Sequence, residues 1–576
     1  MATRSMWAPA VLAGHSEWFD LTRMVEFDAA IRSGDFLPAW SPDFYFGYGS
    51  PLFQFYAPLA YYFTEIPVLA GLGFATALKV TQFAALFASG LAMYRLAVTY
   101  FSGWAACLGG VFYMLAPYRL VDIFVRHALA EHCAFIWLPL IIWGTERFVS
   151  QRGRIGLIIG LLATAALILT HNITALIGLP VCVATGWILS SPKCGWRSFF
   201  SAGWPAVLGV GLAAFFWWPA MSGRPLTQAE ESLTGGYFDF RHHFIEASRF
   251  ISPGWGFGQS EAAAPDRMSL QIGFPHLLAG LGAVALAFMA RRKAQGDDRR
   301  RARWVLAGLA IMLGAAFMCG PWAQPLWQFL PLVKYVQFPW RFLGLVVLGA
   351  AMCGTAVADR LGATSARAEK FVFLGGFAAI LAAYFPYYSQ ARFVAGDARD
   401  HSVARVDAAT VDALDAAGLF IPVGRFITTA DIREAGEHAT SRDDFLPRTV
   451  KQKPTHPAAT MLLAAGYPVP VWTHPQLNTY RFHLQMAGPV IAELEQFWFP
   501  GWQATIDGQP ANTTPFGPHA IVSCEVPAGD HAVEFHYAGL PQRQTGFLVS
   551  LGALVLAAAS FRCLGRNACP WKGGVA

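Results

Sequence analysis

Acidic and cationic side chains crowd into a few short stretches of this sequence, each set between long apolar runs. HSEWFDLTR at 15–23 spaces Glu17, Asp20 and Arg23 three residues apart, so on a helix the three share one face. A carboxylate held there could serve as a general base, or the three could simply pair with one another. YRLVDIFVRHALAEH at 118–132 sets Asp122 four residues before Arg126, the spacing of a helical ion pair. Arg119, Arg126 and His127 could instead converge on a phosphate, whose oxygens accept the guanidinium fork. QFPWRF at 337–342 puts Arg341 after a Pro-Trp step at the end of an apolar run. A guanidinium in that place either snorkels to the interface or grips a lipid phosphate. His171 and Asn172 close another apolar run, where a lone imidazole is more often a satisfied interfacial group. FDFRHHF at 238–244 is a weaker cluster of the same kind.

The elements that must carry these residues are helices in lipid. The chain has 576 residues, 55% of them hydrophobic and only 14% charged, with a mean hydropathy of +0.40, too apolar for a soluble globular protein of this size. Apolar runs at 76–99, 103–117, 133–149, 155–170, 173–190, 200–220, 274–290, 303–319, 338–357, 370–387 and 545–561 are each read as a spanning helix. The formal charge of +6 does not point to nucleic acid, because the basic residues sit in short clusters between these runs. Those clusters (Arg147, Arg152 and Arg154; Lys193 and Arg197; RRKAQGDDRRRAR; Arg360, Arg367 and Lys370) fall at every second loop, which makes them cytoplasmic. Residues 15–75 and 118–132 are then extracytoplasmic. FQFYAPLAYYFTEIPVLAGLG is long enough to span but would invert every later loop, and it contains Pro58, Glu65 and Pro67; it is read as interfacial or re-entrant. The same count calls for a crossing before residue 15, supplied by an upstream start or a very short first helix.

From 388 to 543 charges, prolines and period-two alternation replace the apolar runs. Tyr480, Phe482, Leu484 and Met486 alternate, as do Val533, Phe535 and Tyr537, the pattern of half-buried strands. Asp507-Gly508 and PAGDH at 527–531 supply hairpin turns, and Trp498 and Trp502 are expected between two sheets. Residues 400–450 are mixed and carry no assignment. Among nine cysteines only Cys524 falls in this region, which therefore has no disulfide framework, and Cys563 and Cys569 lack partners for zinc. No Walker loop, dinucleotide glycine fingerprint, HExxH or nucleophile elbow appears in a supporting context, which argues against soluble nucleotide chemistry.

Taken in order, GDFLPAWSPDFYFGYGSPLFQFYAPLAYYF, APYRLVDIFVRHALAEHCAFIWLPL, LILTHN, AAFFWWPAM, LWQFLPLVKYVQFPWRFL and FWFPGWQATIDGQP resemble a family of bacterial integral membrane proteins. Its usual label is 6-pyruvoyl-tetrahydropterin synthase-related, although nothing here looks like a pterin enzyme. That family is similar to the GT-C glycosyltransferases, which have many transmembrane helices, a catalytic acid in the first extracytoplasmic loop and polyprenyl-phosphate sugar donors. The resemblance implies that Asp20 or Glu17 deprotonates an acceptor hydroxyl, with Ser16 standing where an acid is expected after the Gly-His step. It implies that Arg126, Arg341, Arg119, His127 and His171 hold the lipid phosphate, supported by Asp122, Glu131 and Arg23. The resemblance fixes no cofactor and leaves a divalent metal ion open.

The fold class expected is thus a polytopic α-helical membrane protein, GT-C-like, with 11–12 transmembrane helices and an extracytoplasmic β-sandwich-like domain before the last helix. Its domains are 1–387 (transmembrane, with the first loop at 15–75), 388–543 (β-rich) and 544–576 (last helix and cytoplasmic tail). The expected setting is the bacterial inner membrane with the C-terminus in the cytoplasm. Expected partners are membrane lipid, a polyprenyl-phosphate sugar and a glycan or lipid acceptor, not nucleic acid. The rival readings are a lipid or polysaccharide translocator without covalent chemistry, which would need charges lining a mid-helix path, and an envelope scaffold.

Overall fold

A computed structural model describes residues 11–151, 153–190, 195–261, 264–290, 296–388, 392–395, 404–407, 428–436, 444–457, 462–469 and 471–565. The crossing expected before residue 15 lies largely outside the described residues, as does the tail beyond 565.

Among the described residues seven helices are long and apolar enough to cross a membrane: Phe74–Ala97, Leu129–Gln151, Asn172–Ser190, Asp297–Cys319, Pro339–Gly362, Ala366–Tyr387 and Gln542–Leu564. Two bent helix pairs, each a broken span or a re-entrant loop, are Gly103–Met114 with Pro117–Arg126 at 45° and Arg197–Leu212 with Ala214–Leu226 at 67°. The first bend has a local cause: Ala116 is extended and Pro117 opens the next helix, where its missing N–H costs no bond. Arg154–Thr170 and Phe274–Met289 are shorter apolar helices. Each expected span coincides with one of these helices, and the chain is a multi-pass membrane protein. In the aromatic run before them the helix stops at eleven residues, Leu59–Leu69, about 16 Å at 1.5 Å per residue and half of what a crossing needs.

We label as α1 Glu17–Arg32, α2 Trp137–Gln151, α3 Arg154–Thr170, α4 Asn172–Ser190, α5 Ala214–Gly223, α6 Gly296–Cys319, α7 Leu343–Gly362 and α8 Gln542–Gly565. Contacts among their ends sort the bundle into two poles. Arg300 near the start of α6 lies 3.8 Å from Glu146 near the end of α2, and Arg303 donates to the Ile188 carbonyl near the end of α4 at 3.1 Å. Arg301 pairs with Asp359 in the last turn of α7 at 3.5 Å, and Arg154 at the start of α3 donates to the Phe561 carbonyl of α8 at 3.0 Å. The basic loops therefore gather at one pole. The His171 junction, the end of α6 and the start of α7 lie at the other.

A small antiparallel sheet joins β1 (Val11–Leu12) to β2 (Arg392–Ala395) and β3 (Ala404–Asp407). Ten later strands form two five-stranded antiparallel sheets. One runs in the order β10 (Gln509–Ala511), β9 (Trp502–Ile506), β13 (Gly529–Tyr537), β7 (Thr479–Met486), β6 (Trp472–Gln476). The other runs β11 (Thr514–Phe516), β12 (Ile521–Val526), β8 (Val490–Phe497), β4 (Leu462–Ala464), β5 (Tyr467–Pro468). Tyr480, Phe482, Leu484, Val533, Phe535 and Tyr537 are buried between the sheets. Asp507 and Gly508 both hold positive φ, 52° and 77°, the conformation a two-residue type I′ hairpin demands.

The sandwich rests on the first loop. Trp40 reaches from that loop to within 5.5 Å of Trp502 and 4.9 Å of Tyr537, ring to ring. The buried Gln496 amide accepts from Trp40 Nε1 at 2.6 Å and donates to the carbonyls of Gly47 at 2.6 Å and Pro42 at 3.2 Å. A Cβ at Gly49, whose φ is +78°, would lie 2.4 Å from Gln496 Oε1 and 2.5 Å from Trp40 Nε1, so only glycine permits this approach.

Candidate functional site

A cavity of about 870 Å³ opens at the pole opposite the basic loops. The start of α1 contributes His15, Ser16, Phe19 and Arg23, and the helix ends beneath contribute Arg126, His171, Arg224 and Arg341. Tyr56, Tyr335, Phe338 and Trp340 supply aromatic wall, and Asp444 with Phe445 forms the roof. The roof segment is tied to the bundle by Gln228 N–H to the Leu446 carbonyl at 3.1 Å and Arg448 N–H to the Leu226 carbonyl at 3.0 Å.

The floor is an ionic cluster. After Pro117–Val121 the chain widens into a π-helical turn, Asp122–Arg126, which ends at His127 with φ +52°. Arg126 is paired with Asp122, donates to Tyr118 Oη at 3.3 Å and to Glu131 Oε2 at 2.8 Å, and lies 4.5 Å over the Trp340 ring. Tyr118 donates to the other Glu131 oxygen at 2.5 Å. Arg341 donates to the Val336 carbonyl at 2.9 Å and to Gln337 Oε1 at 3.1 Å, with its Nε 3.8 Å from Glu131 Oε2. That Nε is buried and has no hydrogen-bond partner among the described residues. Glu131 thus sits between two guanidinium groups, one of which is otherwise met only by neutral acceptors. Gln337, which takes an Arg341 bond, holds φ +66°, a strained conformation for a side-chain-bearing residue.

The acids of the first loop stand one layer behind the wall. Asp20 is buried, accepts from Tyr61 Oη at 3.0 Å, lies 3.1 Å from His127 Nδ1 and 3.9 Å from Arg23. It does not line the cavity, nor does Glu17, which is buried three residues before it. Arg23 does, stacked 4.4 Å over Tyr56. Burial alone would lower the Arg23 pKa, but Tyr56, Tyr61 and Asp20 outweigh it and hold the guanidinium above its usual value. Tyr61 is pushed up by burial and by Asp20, so its hydroxyl keeps its proton and donates.

The structure brings Arg23, Arg126, Arg341 and His171 to one cavity, with Asp20, Asp122 and Glu131 directly behind. It does not bring Arg119 or His127 there. Arg119 is fully buried, donating to the His132 carbonyl and Ser89 Oγ, each at 3.2 Å, and stacking 3.9 Å over Phe135; His127 faces Asp20. Of Arg119, Arg126 and His127, which could have converged on a phosphate, Arg126 lines the cavity and the other two do not. Positions 119 and 126 share a face on a regular α-helix, but the wider i→i+5 turn between them rotates Arg126 away. Arg224, Tyr335, His15 and Asp444 were not singled out from the sequence. Arg224 carries a signal, a lone cation closing the run AFFWWPAMSG, whereas Asp444 borders the stretch without periodicity. Among the described residues no three acidic, histidine or cysteine side chains are grouped as metal ligands.

A cavity of this size falls in the range of small-molecule sites, and four guanidinium groups around it suit an anionic ligand, phosphate above all. No protein-family model matches the chain. An uncharacterized protein of Lactococcus lactis subsp. cremoris (strain MG1363) is 20% identical over 222 residues, 36% of this chain and 36% of its own length. Among solved structures, the arabinofuranosyltransferase AftD from mycobacteria is 15% identical with a TM-score of 0.43, the likeness covering 67% of this chain and 26% of that one. A mutant form of AftD gives 0.42, over 66% and 26%. The chain spans about a quarter of the AftD chains and about a third of the lactococcal protein.

Proposed function

We propose that this protein is a membrane glycosyltransferase that moves a sugar from a polyprenyl-phosphate donor to an envelope acceptor at the extracytoplasmic face. The observation that carries the reading is the cavity itself, cationic and placed at the pole away from the basic loops, with a buried Arg341 Nε that has no hydrogen-bond partner among the described residues. The positive-inside rule puts that pole outside the cytoplasm, and the sequence resemblance to GT-C enzymes supplies the reaction class. Arg126 and Arg341 take the donor phosphate, and His171 lies on the same wall. The acceptor oxygen attacks the anomeric carbon as the bond from that carbon to the phosphate oxygen breaks. The polyprenyl phosphate leaves with the bonding pair, its charge met by the two guanidinium groups. Asp20, held by Tyr61 and His127 one layer behind the cavity wall, takes the acceptor proton only where that wall opens to it, with Glu17 as the second acid of the same helix.

The test is sugar transfer to envelope glycan or lipid in cells carrying Asp20→Asn, Glu17→Gln or Arg341→Ala in place of the wild type. Loss of a general base or of the phosphate clamp costs on the order of 10²–10⁴ in rate. Unchanged transfer in Asp20→Asn removes Asp20 as the base, and unchanged transfer in Arg341→Ala removes the clamp.

A further inference from the structure

The loop that follows α6 has no charged residue from Gly320 to Val333. One side of it is anchored: Trp327 is buried, its indole donates to the Met318 carbonyl at 3.0 Å, and it stacks on Phe240 at 5.3 Å. The other side is bare. Phe329 is 82% exposed, Leu332 54% and Trp322 46%, with Leu326 beside them. An exposed apolar patch of this kind marks a surface that meets something other than water.

The patch is continuous with the lipid-facing side of the bundle. Leu313 and Phe317 are exposed on the last turns of α6, and Phe317 precedes Gly320 by three residues. Beside them Phe250 stacks on Trp322 at 6.3 Å and Ile251 is exposed. At the far edge Lys334 is partly exposed and paired with Glu230 at 3.2 Å. An indole and apolar side chains below a cation are the order in which a bilayer presents acyl chain, interface and headgroup.

We propose that residues 320–332 lie in the membrane interface at the cavity pole, with Trp322, Leu326 and Phe329 immersed in that leaflet. Leu332 belongs both to this patch and to the cavity lining, which also includes exposed Met221 of α5 and Leu176 of α4. These three apolar side chains form a lip between cavity and bilayer, so a ligand dissolved in the leaflet enters from the side. The portal role rests on the reading of the cavity as a lipid-donor site; the bilayer contact does not.

The full chain carrying the photoreactive residue p-benzoylphenylalanine in place of Phe329 is reconstituted in phosphatidylethanolamine and phosphatidylglycerol vesicles and irradiated. Position 313 serves as the lipid-facing reference, and Tyr467, an exposed aromatic of the sandwich, as the water-facing one. Phospholipid adducts at 329 are expected at the level of position 313 and about ten-fold above position 467. Adducts at the level of 467, or protein adducts in place of lipid, overturn the interface placement. Leu332→Asp separates the two claims: it is expected to slow uptake of undecaprenyl phosphate about ten-fold, since a carboxylate at a lipid-facing lip is costly. Normal uptake with lipid adducts intact removes the portal alone, while no uptake by the wild type removes the donor reading and leaves the interface contact standing.

Discussion

Glu131 decides the charge balance of the floor. It is buried and shared by Arg126 and Arg341, so neutralising it leaves Arg126 with Asp122 as its one carboxylate and Arg341 with neutral acceptors among the described residues. Breaking a buried ion cluster at one partner costs about 3–5 kcal/mol, much more than the net worth of the intact cluster. Glu131→Gln is therefore expected to lower the thermal midpoint of the detergent-solubilised protein well below that of Arg341→Met, which removes the cation with the fewest charged partners; equal midpoints would show that Glu131 does not neutralise the pair. These charges were legible in the sequence because ionisable groups next to lipid are expensive and persist only with partners or a task. Which of them face the cavity was not legible. Neighbours in sequence, Arg126 and His127, point to different places, since the π turn and the left-handed conformation at His127 leave no mark in residue type.

At the scale of elements, the spanning helices were readable from length and hydropathy, and the strands from alternation, because each is a local pattern. The union of first loop and sandwich was not, since Trp40 and Gln496 are joined across more than 450 positions with no shared periodicity. That union includes a buried acid pair. Glu26 of α1 lies against Asp43, which Arg433 holds by ion pair, with Tyr480 of the sandwich close by. Burial, with Asp43 adding to it, raises the Glu26 pKa well above the usual carboxyl range. A carboxyl whose pKa is higher folded than unfolded stabilises fully below the unfolded value and loses that contribution as pH rises through the folded one. The docking of α1 against β7 and the segment around Arg433 should weaken accordingly from mildly acidic to alkaline pH. Glu26→Gln cannot ionise, so its thermal midpoint should exceed the wild type's at pH 8 and match it at pH 4; an equal difference at both values would place the effect in packing rather than titration.

For the whole molecule, the decisive feature is the separation of basic ends from the cavity. Arg154, Arg300, Arg301 and Arg303 meet the ends of four other helices at one pole, while the cationic side chains at the other pole are drawn inward around a cavity or paired with acids. Lys and Arg in short loops are retained on the cytoplasmic side during insertion. The bundle should therefore insert with the α8 end inside and the sandwich outside. Alkaline phosphatase, which folds only after export, should be active when inserted at the exposed Asp507-Gly508 turn, and a green fluorescent protein fused after Gly565 should fluoresce. The reverse pattern would put the cavity in the cytoplasm, and with it would go the extracytoplasmic acceptor, whatever the cavity binds. Exchanging Arg299, Arg300, Arg301 and Arg303 for Gln while adding Lys to the loop after Phe329 should shift a measurable fraction of molecules toward that reverse pattern. If it does not, orientation is set by the folded sandwich rather than by the arginines.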